Sequence, residues 1–399
     1  MEFISVQHAA ANFGVTVRTV QKWAKEGKIK GAMRVGKVWL IPQNAVHPYE
    51  SNDAEDNYEE WLYNTNKFEH LPFRLMCADF APGRCLDYIE TIDNTKIKSI
   101  SEAEYHFFKG NSERCIEIAE NYISDSDDTI AFCSSLLYAV ANLSICNYRV
   151  VRITFDNIQK YILTKEFAER DAKKESIAFF TSSIIDILLH SAKADLTKLR
   201  EAMQYLPDGI RLFSTYIMAL LSYYNGDYSR TIGIADTAIS LCTHIHLVPV
   251  IYLHVIAAIG LINMKMIEEA KARFRIAVDL AAAEGFWAPI IQHHGILLGL
   301  PEVCMREAYS AEFRYVALGA HDFLKGWYHI NHVGEEKSMV DELSTTEFVI
   351  AMLFHKGWSM KEISFYLEMS LRMVKQHIST VYLKLGITKR EELKNYMLV

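Results

Sequence analysis

Near the carboxyl end of this 399-residue chain, Arg372, Lys375, Gln376, Ser379, Thr380 and Lys384 lie on the polar side of an apolar repeat. That repeat is Val374, Ile378, Val381 and Leu385, whose helical spacing predicts a helix over 371–385 with one stripe buried and the other exposed. Cationic and amide side chains on such a face suit recognition of a polyanion. Lys and Arg meet phosphates or guanine edges, and Gln can bond adenine through both amide atoms. A second set stands near the amino end: Arg18, Thr19, Gln21 and Lys22 in one helical pattern, with Arg34 and Lys37 on a short ribbon beyond it. Nothing comparable points to covalent or acid–base chemistry. The chain has no Gly-x-Ser-x-Gly, His-Glu-x-x-His or Gly-x-Gly-x-x-Gly. His244-x-His246 and His293-His294 lack Cys or carboxylate partners at ligand spacing. We therefore expect no catalysis, no metal and no cofactor.

The net charge of −7 is unevenly spread. Residues 1–47 carry seven Lys/Arg against two acids, and residues 338–399 carry eight against seven. From Ser370 onward the balance is six against two, whereas residues 48–337 hold 27 against 40. Basic ends around an acidic middle suit a nucleic-acid contact at each end and none between.

The elements that position the carboxyl-terminal set are written into Leu343–Leu398. Ser344 with Glu347, Ser359 with Glu362 and Thr388 with Glu391 have capping-box spacing. Ser370 is a further N-cap, and Gly357 and Gly386 fall where a helix exits left-handed. Val349/Leu353 and Ile363/Leu367 complete four short amphipathic helices around one small core. A short capped helix, a turn at Glu368-Met369 and the 371–385 helix form a helix-turn-helix pattern. Periodicity by itself also fits a small helical domain with a solvated basic face.

Over its whole length this stretch resembles the LuxR-type (NarL-like) DNA-binding domain. The matching residues are Leu343, Glu347, Gly357, Lys361-Glu362-Ile363, Leu367, Ser370, Val374-Lys375, His377, Lys384-Leu385-Gly386, Arg390 and Leu393. It departs at Met373, where Thr is usual, and at Thr346, where Arg is usual. The resemblance implies that Lys375, Gln376 and Ser379 reach bases or groove, that Arg372 and Lys384 lie near phosphates, and that the protein works as a homodimer.

In residues 1–47, Ser5 is the N-cap of a helix running to Phe13, and Thr16 that of a second helix running to Glu26; Gly14 and Gly27 end them. Ile29–Val35 and Val38–Ile41 then read as a two-stranded ribbon turning at Gly36-Lys37. Through VTVRTVQKWAKEGKI and RVGKVWLIP this stretch resembles the excisionase/MerR-type winged helix-turn-helix. That family implies Arg18, Thr19, Gln21 and Lys22 facing double-stranded DNA, Arg34 and Lys37 on the wing, and Ala10, Val20, Trp23 and Trp39 in the core. A winged domain used for protein contacts is the alternative, and the +5 charge argues against it. Residues 48–66 read as an acidic linker.

Residues 67–332 read as helix after helix, with tetratricopeptide spacing: Gly, then Tyr at +2, Ala at +5, an aromatic or Ala at +9 and Ala at +12. Lys265, Ile267, Ala270, Phe274 and Ala277 fit, as do Gly226, Tyr228, Thr231, Ala235 and Ala238. Looser units begin at Gly110, Cys146 and Ala194. An irregular helical bundle is the alternative. Degenerate repeats ahead of a LuxR-type domain resemble the architecture of MalT-like regulators, in which the solenoid receives an inducer or a partner protein. The Gly-x-x-x-x-Gly-Lys-[Ser/Thr] of their ATPase part does not occur.

Half of the residues are hydrophobic and 23% are charged, enough for a large packed core in a soluble protein. The longest apolar run, Val248–Met264, contains Pro249, His254 and Asn263 and reads as a buried helix, not a membrane span. Seven scattered cysteines without Cys-x-x-Cys, and no leader pattern at Met1, suit a reducing cytoplasm. The expected fold is mainly α: a winged helix-turn-helix (1–47), a linker (48–66), a repeat solenoid (67–332) and a four-helix DNA-binding domain (338–399). The expected activity is that of a one-component transcription regulator, with a small molecule, peptide or partner protein bound in the solenoid. Two other readings stay open. One is a repeat-based protein adaptor with vestigial heads; the other is an excisionase-like factor that bends DNA.

Overall fold

The computed structural model describes residues 3–13, 15–25, 28–29, 31–35, 38–43, 45, 73–164, 172–242, 244, 246–331 and 342–396. Lys37, Gly14, Gly27 and the acidic stretch 48–66 lie outside them. The fold is mainly helical, and the chain divides into two compact units, Met1–Glu69 and His70–Val399.

In the first unit, strand β1 (Phe3–Ser5) leads into helix α1 (Val6–Asn12). Helix α2 (Val17–Lys25) and strands β2 (Met33–Val35) and β3 (Val38–Pro42) follow. Ser5 closes β1 and also accepts the His8 N–H at 3.2 Å as N-cap of α1; Thr16 accepts the Thr19 N–H at 3.2 Å. The ribbon has three strands where the sequence suggests two. β3 pairs antiparallel with β2 (Arg34 opposite Trp39) and with β1 (Ile4 opposite Ile41). A three-residue strand is too short to show a period of two, and Ser5 masks it with a capping signal. Val6, Ala9, Ala10, Val20, Trp23, Ala24, Ile29 and Ile41 form the core, with Trp39 half-buried against it.

The second unit opens with α3 (Arg74–Cys77), α4 (Cys85–Glu90), α5 (Thr95–Lys109) and α6 (Ser112–Ala119). It continues with α7 (Asp128–Ser144), α8 (Tyr148–Ile162), α9 (Ala172–His190) and α10 (Thr197–Ala202). Then come α11 (Asp208–Tyr224), α12 (Tyr228–Leu241), α13 (Leu247–Asn263) and α14 (Ile267–Glu284). The array ends with α15 (Ala288–His293), α16 (Leu300–Cys304) and α17 (Ser310–Asn331). Helices α5–α8 and α11–α14 pack on their sequence neighbours, and α5 with α7 and α11 with α13 also touch.

The turn residues at four of the five expected repeat starts share one conformation. Gly110, Cys146, Gly226 and Lys265 have φ of 84°, 61°, 75° and 59°, and a helix begins two residues after each. At +5 and +9 the pairs Cys115/Ala119, Val151/Phe155, Thr231/Ala235 and Ala270/Phe274 are all buried. The start at Ala194 differs. It leads only into the six-residue α10 and a 3-10 turn, although Leu196 and Leu199 are buried.

The array is not a simple row of neighbours. α17 packs on α15 and also on α7, α8 and α9, far earlier in the chain. Arg152 of α8 donates to the His329 and Ile330 carbonyls that end α17, at 2.5 and 3.1 Å. Gly326 lies where any Cβ would strike the Leu143 carbonyl oxygen. Glu284, at the end of α14, accepts the Gly83 and Cys85 N–H groups at 2.5 and 3.1 Å. Helix α13, the longest apolar run, is buried along nearly all its length, and among the described residues no helix is long and apolar enough to cross a membrane.

Three α-helices and one 3-10 turn complete the unit: α18 (Thr345–His355), α19 (Met360–Tyr366), α20 (Leu371–Leu385) and Arg390–Asn395. The capping boxes of Ser344/Glu347 and Ser359/Glu362 form, Ser370 accepts the Met373 N–H, and Gly357 and Gly386 are left-handed. The expected Thr388/Glu391 box does not form. Glu392 instead accepts the Thr388 and Lys389 N–H groups at 2.7 and 3.0 Å, because the chain enters a tighter 3-10 turn one residue later.

Candidate nucleic-acid interfaces

On α2, Val20, Trp23 and Ala24 face the core, and Arg18, Gln21, Lys22 and Lys25 are exposed. These four stand at i, i+3, i+4 and i+7, so they form one stripe. The stripe is roughly 10 Å long at ~1.5 Å per residue, the rise of about three base pairs at ~3.4 Å each. Thr19 is half-buried, and its hydroxyl lies 2.7 Å from that of Thr16. Arg34 is exposed on β2. Lys25 was not among the expected contacts, but the i+3/i+4/i+7 stripe alone would have found it. Residues 3–49 match a family model described as a helix-turn-helix domain. No curated protein and no solved structure matches the chain. The matched residues include α2 and its exposed stripe.

The carboxyl-terminal helices repeat this arrangement. α20 buries Val374, Ile378, Val381 and Leu385 and exposes Arg372, Lys375, Gln376 and Ser379, again at i, i+3, i+4 and i+7. The Thr380 hydroxyl donates to the Gln376 carbonyl at 3.0 Å, so its proton is committed within the helix. Lys384 is tied as well: its ammonium lies 2.7 Å from Glu347, which also accepts the Ser344 N–H at 2.8 Å. Burial pushes the Glu347 carboxyl up, but Lys384 and Ser344 outweigh it and hold it below the usual carboxylate range. A phosphate at Lys384 would have to compete with this carboxylate. Met373 stands exposed beside the stripe.

The face of these helices that turns towards the array was not foreseen. Lys265, the left-handed turn residue before α14, reaches Glu362 at 2.8 Å and lies 5.3 Å from the centre of the Trp358 ring. The Lys265 ammonium, with the Ser359 N–H and hydroxyl, holds the Glu362 carboxyl down to about 2. Lys271 lies 6.0 Å from the Tyr366 ring and Lys356 5.9 Å from Tyr223. At Gly299, with φ of 87°, a Cβ would come within 2.9 Å of Leu367 and 3.1 Å of Val349. Helices α18 and α19 thus seat on the array, and the polar stripe of α20 stays exposed. The repeat spacing placed Lys265 at the first position of a unit and gave no hint of its side-chain partner.

Proposed function

We propose that this protein is a DNA-binding transcription regulator of the one-component type, non-catalytic, with a recognition helix at each end and a sensing array between. The observation that carries this is the exposed Arg18–Gln21–Lys22–Lys25 stripe within the matched helix-turn-helix domain. The parallel Arg372–Lys375–Gln376–Ser379 stripe supports a second head, which we read as LuxR-type. The recurring left-handed turns and buried +5/+9 pairs support a tetratricopeptide-like reading of the array. Each base contact would contribute roughly 1–3 kcal/mol of discrimination, and each phosphate contact a slope of about −0.9 in log K against log salt. Homodimerisation would let each stripe read two half-sites.

The test is to retain sheared genomic DNA on the full-length protein and sequence it, then repeat with Lys22→Ala and Lys375→Ala. A two-part motif is expected, with Lys22→Ala weakening one part and Lys375→Ala the other. DNA binding that is absent, or insensitive to salt, would sink the reading in favour of a protein adaptor. Strong bending of the retained DNA without any effect on a neighbouring promoter would instead favour an architectural, excisionase-like role for the amino-terminal domain.

A further inference from the structure

The stripes of α2 and α20 differ in the side of the helix on which their amide stands. Successive helical residues are turned by ~100° and advance by ~1.5 Å. Gln21 comes three residues after Arg18 and so falls about 60° short of a full turn from it. Gln376 comes four residues after Arg372 and falls about 40° beyond the full turn. Lys25 and Ser379, seven residues on, fall about 20° short, close to the midline of each stripe. The two amides therefore flank that midline on opposite sides. With side-chain ends roughly 5–6 Å from the helix axis, the flanks are about 8 Å apart across the helix and only ~1.5 Å apart along it. A major groove is about 12 Å wide, and successive base pairs are ~3.4 Å apart. Moving an amide from one flank to the other thus carries it from one strand towards the other, by less than half a base-pair step.

The chemistry of the stripes singles out these amides. Gln21 and Gln376 are exposed, and among the described residues of the two stripes they alone carry a donor and an acceptor on adjacent atoms. That is the pattern that adenine N6 and N7 complement. Arg18, Lys22, Lys25, Arg372 and Lys375 only donate, which suits guanine or phosphate. Ser379 offers a single hydroxyl. The neighbouring hydroxyls have local partners: Thr19 lies 2.7 Å from Thr16, and Thr380 donates to the backbone carbonyl of Gln376 at 3.0 Å. The latter bond leaves the Gln376 side-chain amide unused.

We propose that Gln21 and Gln376 each select an adenine in the DNA site, and that they take it from opposite strands relative to the direction of their own helices. This rests on the reading of α2 and α20 as the DNA-binding helices and gives each of them a base and a strand. The cations at the other positions of each stripe then fix the register on phosphates and guanines around that adenine.

The test selects randomised duplex DNA on the full-length protein and sequences what is retained. Gln21→Ala should cut the preference for one A·T pair roughly tenfold and leave the rest of the motif in place. Gln376→Ala should do the same at a different pair. The decisive variants exchange neighbours and keep the charge of the stripe: Gln21→Lys with Lys22→Gln, and Lys375→Gln with Gln376→Lys. Each should turn its preferred A·T into T·A at the same position. All of these side chains are exposed, so an unchanged Tm should accompany every variant. An adenine preference that survives both alanine variants overturns the proposal, as does an exchange that leaves the adenine on its original strand. A motif of one part only overturns the assignment of whichever amide leaves it unchanged. Retention of DNA by a motif that ignores both amides sinks the base assignment and spares the regulator. No retention of DNA by the unaltered protein sinks the regulator, and the assignment with it.

Discussion

Helices α2 and α20 present the same stripe from different settings. α2 shows Arg18, Gln21, Lys22 and Lys25; α20 shows Arg372, Lys375, Gln376 and Ser379 at the same offsets, with one cation fewer and the amide moved one place along. α2 packs on a core of eight buried residues in its own compact unit. α20 belongs to the unit that also contains the array, where α18 and α19 seat through Lys265, Gly299 and Glu362. Equal stripes therefore do not imply equal control. A stripe on its own core depends on the packing of that core. One seated on another element also answers to whatever strains that seat.

The largest test of this difference removes the local core. Trp23→Ala should cost about 3–5 kcal/mol and unfold the first unit, while the transition of the second stays in place by differential scanning calorimetry. If both transitions move together, the amino-terminal head is not separate.

A smaller effect, a few kcal/mol by linkage, should be confined to the second unit. Glu104 is wholly buried, accepts the Leu75 N–H at 3.2 Å, and burial raises its carboxyl to about 8. Raised in the folded state, it contributes stability that is fully present below about 4.5, the value taken for an unperturbed carboxyl, and is lost as pH rises through about 8. The second transition should therefore weaken between those values. Glu104→Gln should flatten that dependence and leave the first transition alone; an unchanged pH profile in the variant would refute the assignment.

Smallest is the tie itself. The Lys265–Glu362 pair is well exposed, so Lys265→Ala should cost less than about 1 kcal/mol of stability. It should nevertheless alter hydrogen exchange in α19 while that of α2 is unaffected. No change in α19 would mean that the apolar contacts at Gly299 hold the seat without it.

Much of this was legible in the residues because the signals were local. Ser344/Glu347, Ser359/Glu362, Ser370, Gly357 and Gly386 all act within one turn of their own position, and the apolar spacing of α20 separates its buried from its exposed face unaided. At Gly110 and Gly226 a glycine likewise marks a left-handed turn, whereas the same turn at Cys146 and Lys265 carries no such residue signal. What was missed depends on partners remote in sequence. β1 exists only because β3 offers it an edge. Lys384 looked like a phosphate contact until Glu347, 37 residues earlier, came beside it. Lys265 gained its partner 97 residues later. No periodicity within α17 announces that it returns to α7 and α8.

That return sets how the array must assemble. Linear repeats fold by adding neighbours and fray from either end, because each unit needs only the next. Here Gly326 seats against the Leu143 carbonyl, and Arg152 holds the last turn of α17. α17 can therefore dock only once α7 and α8 have formed, and neither end is free to peel away first. Loop closure of that length slows the rate-limiting step of folding, and in return the array opens as a whole or not at all.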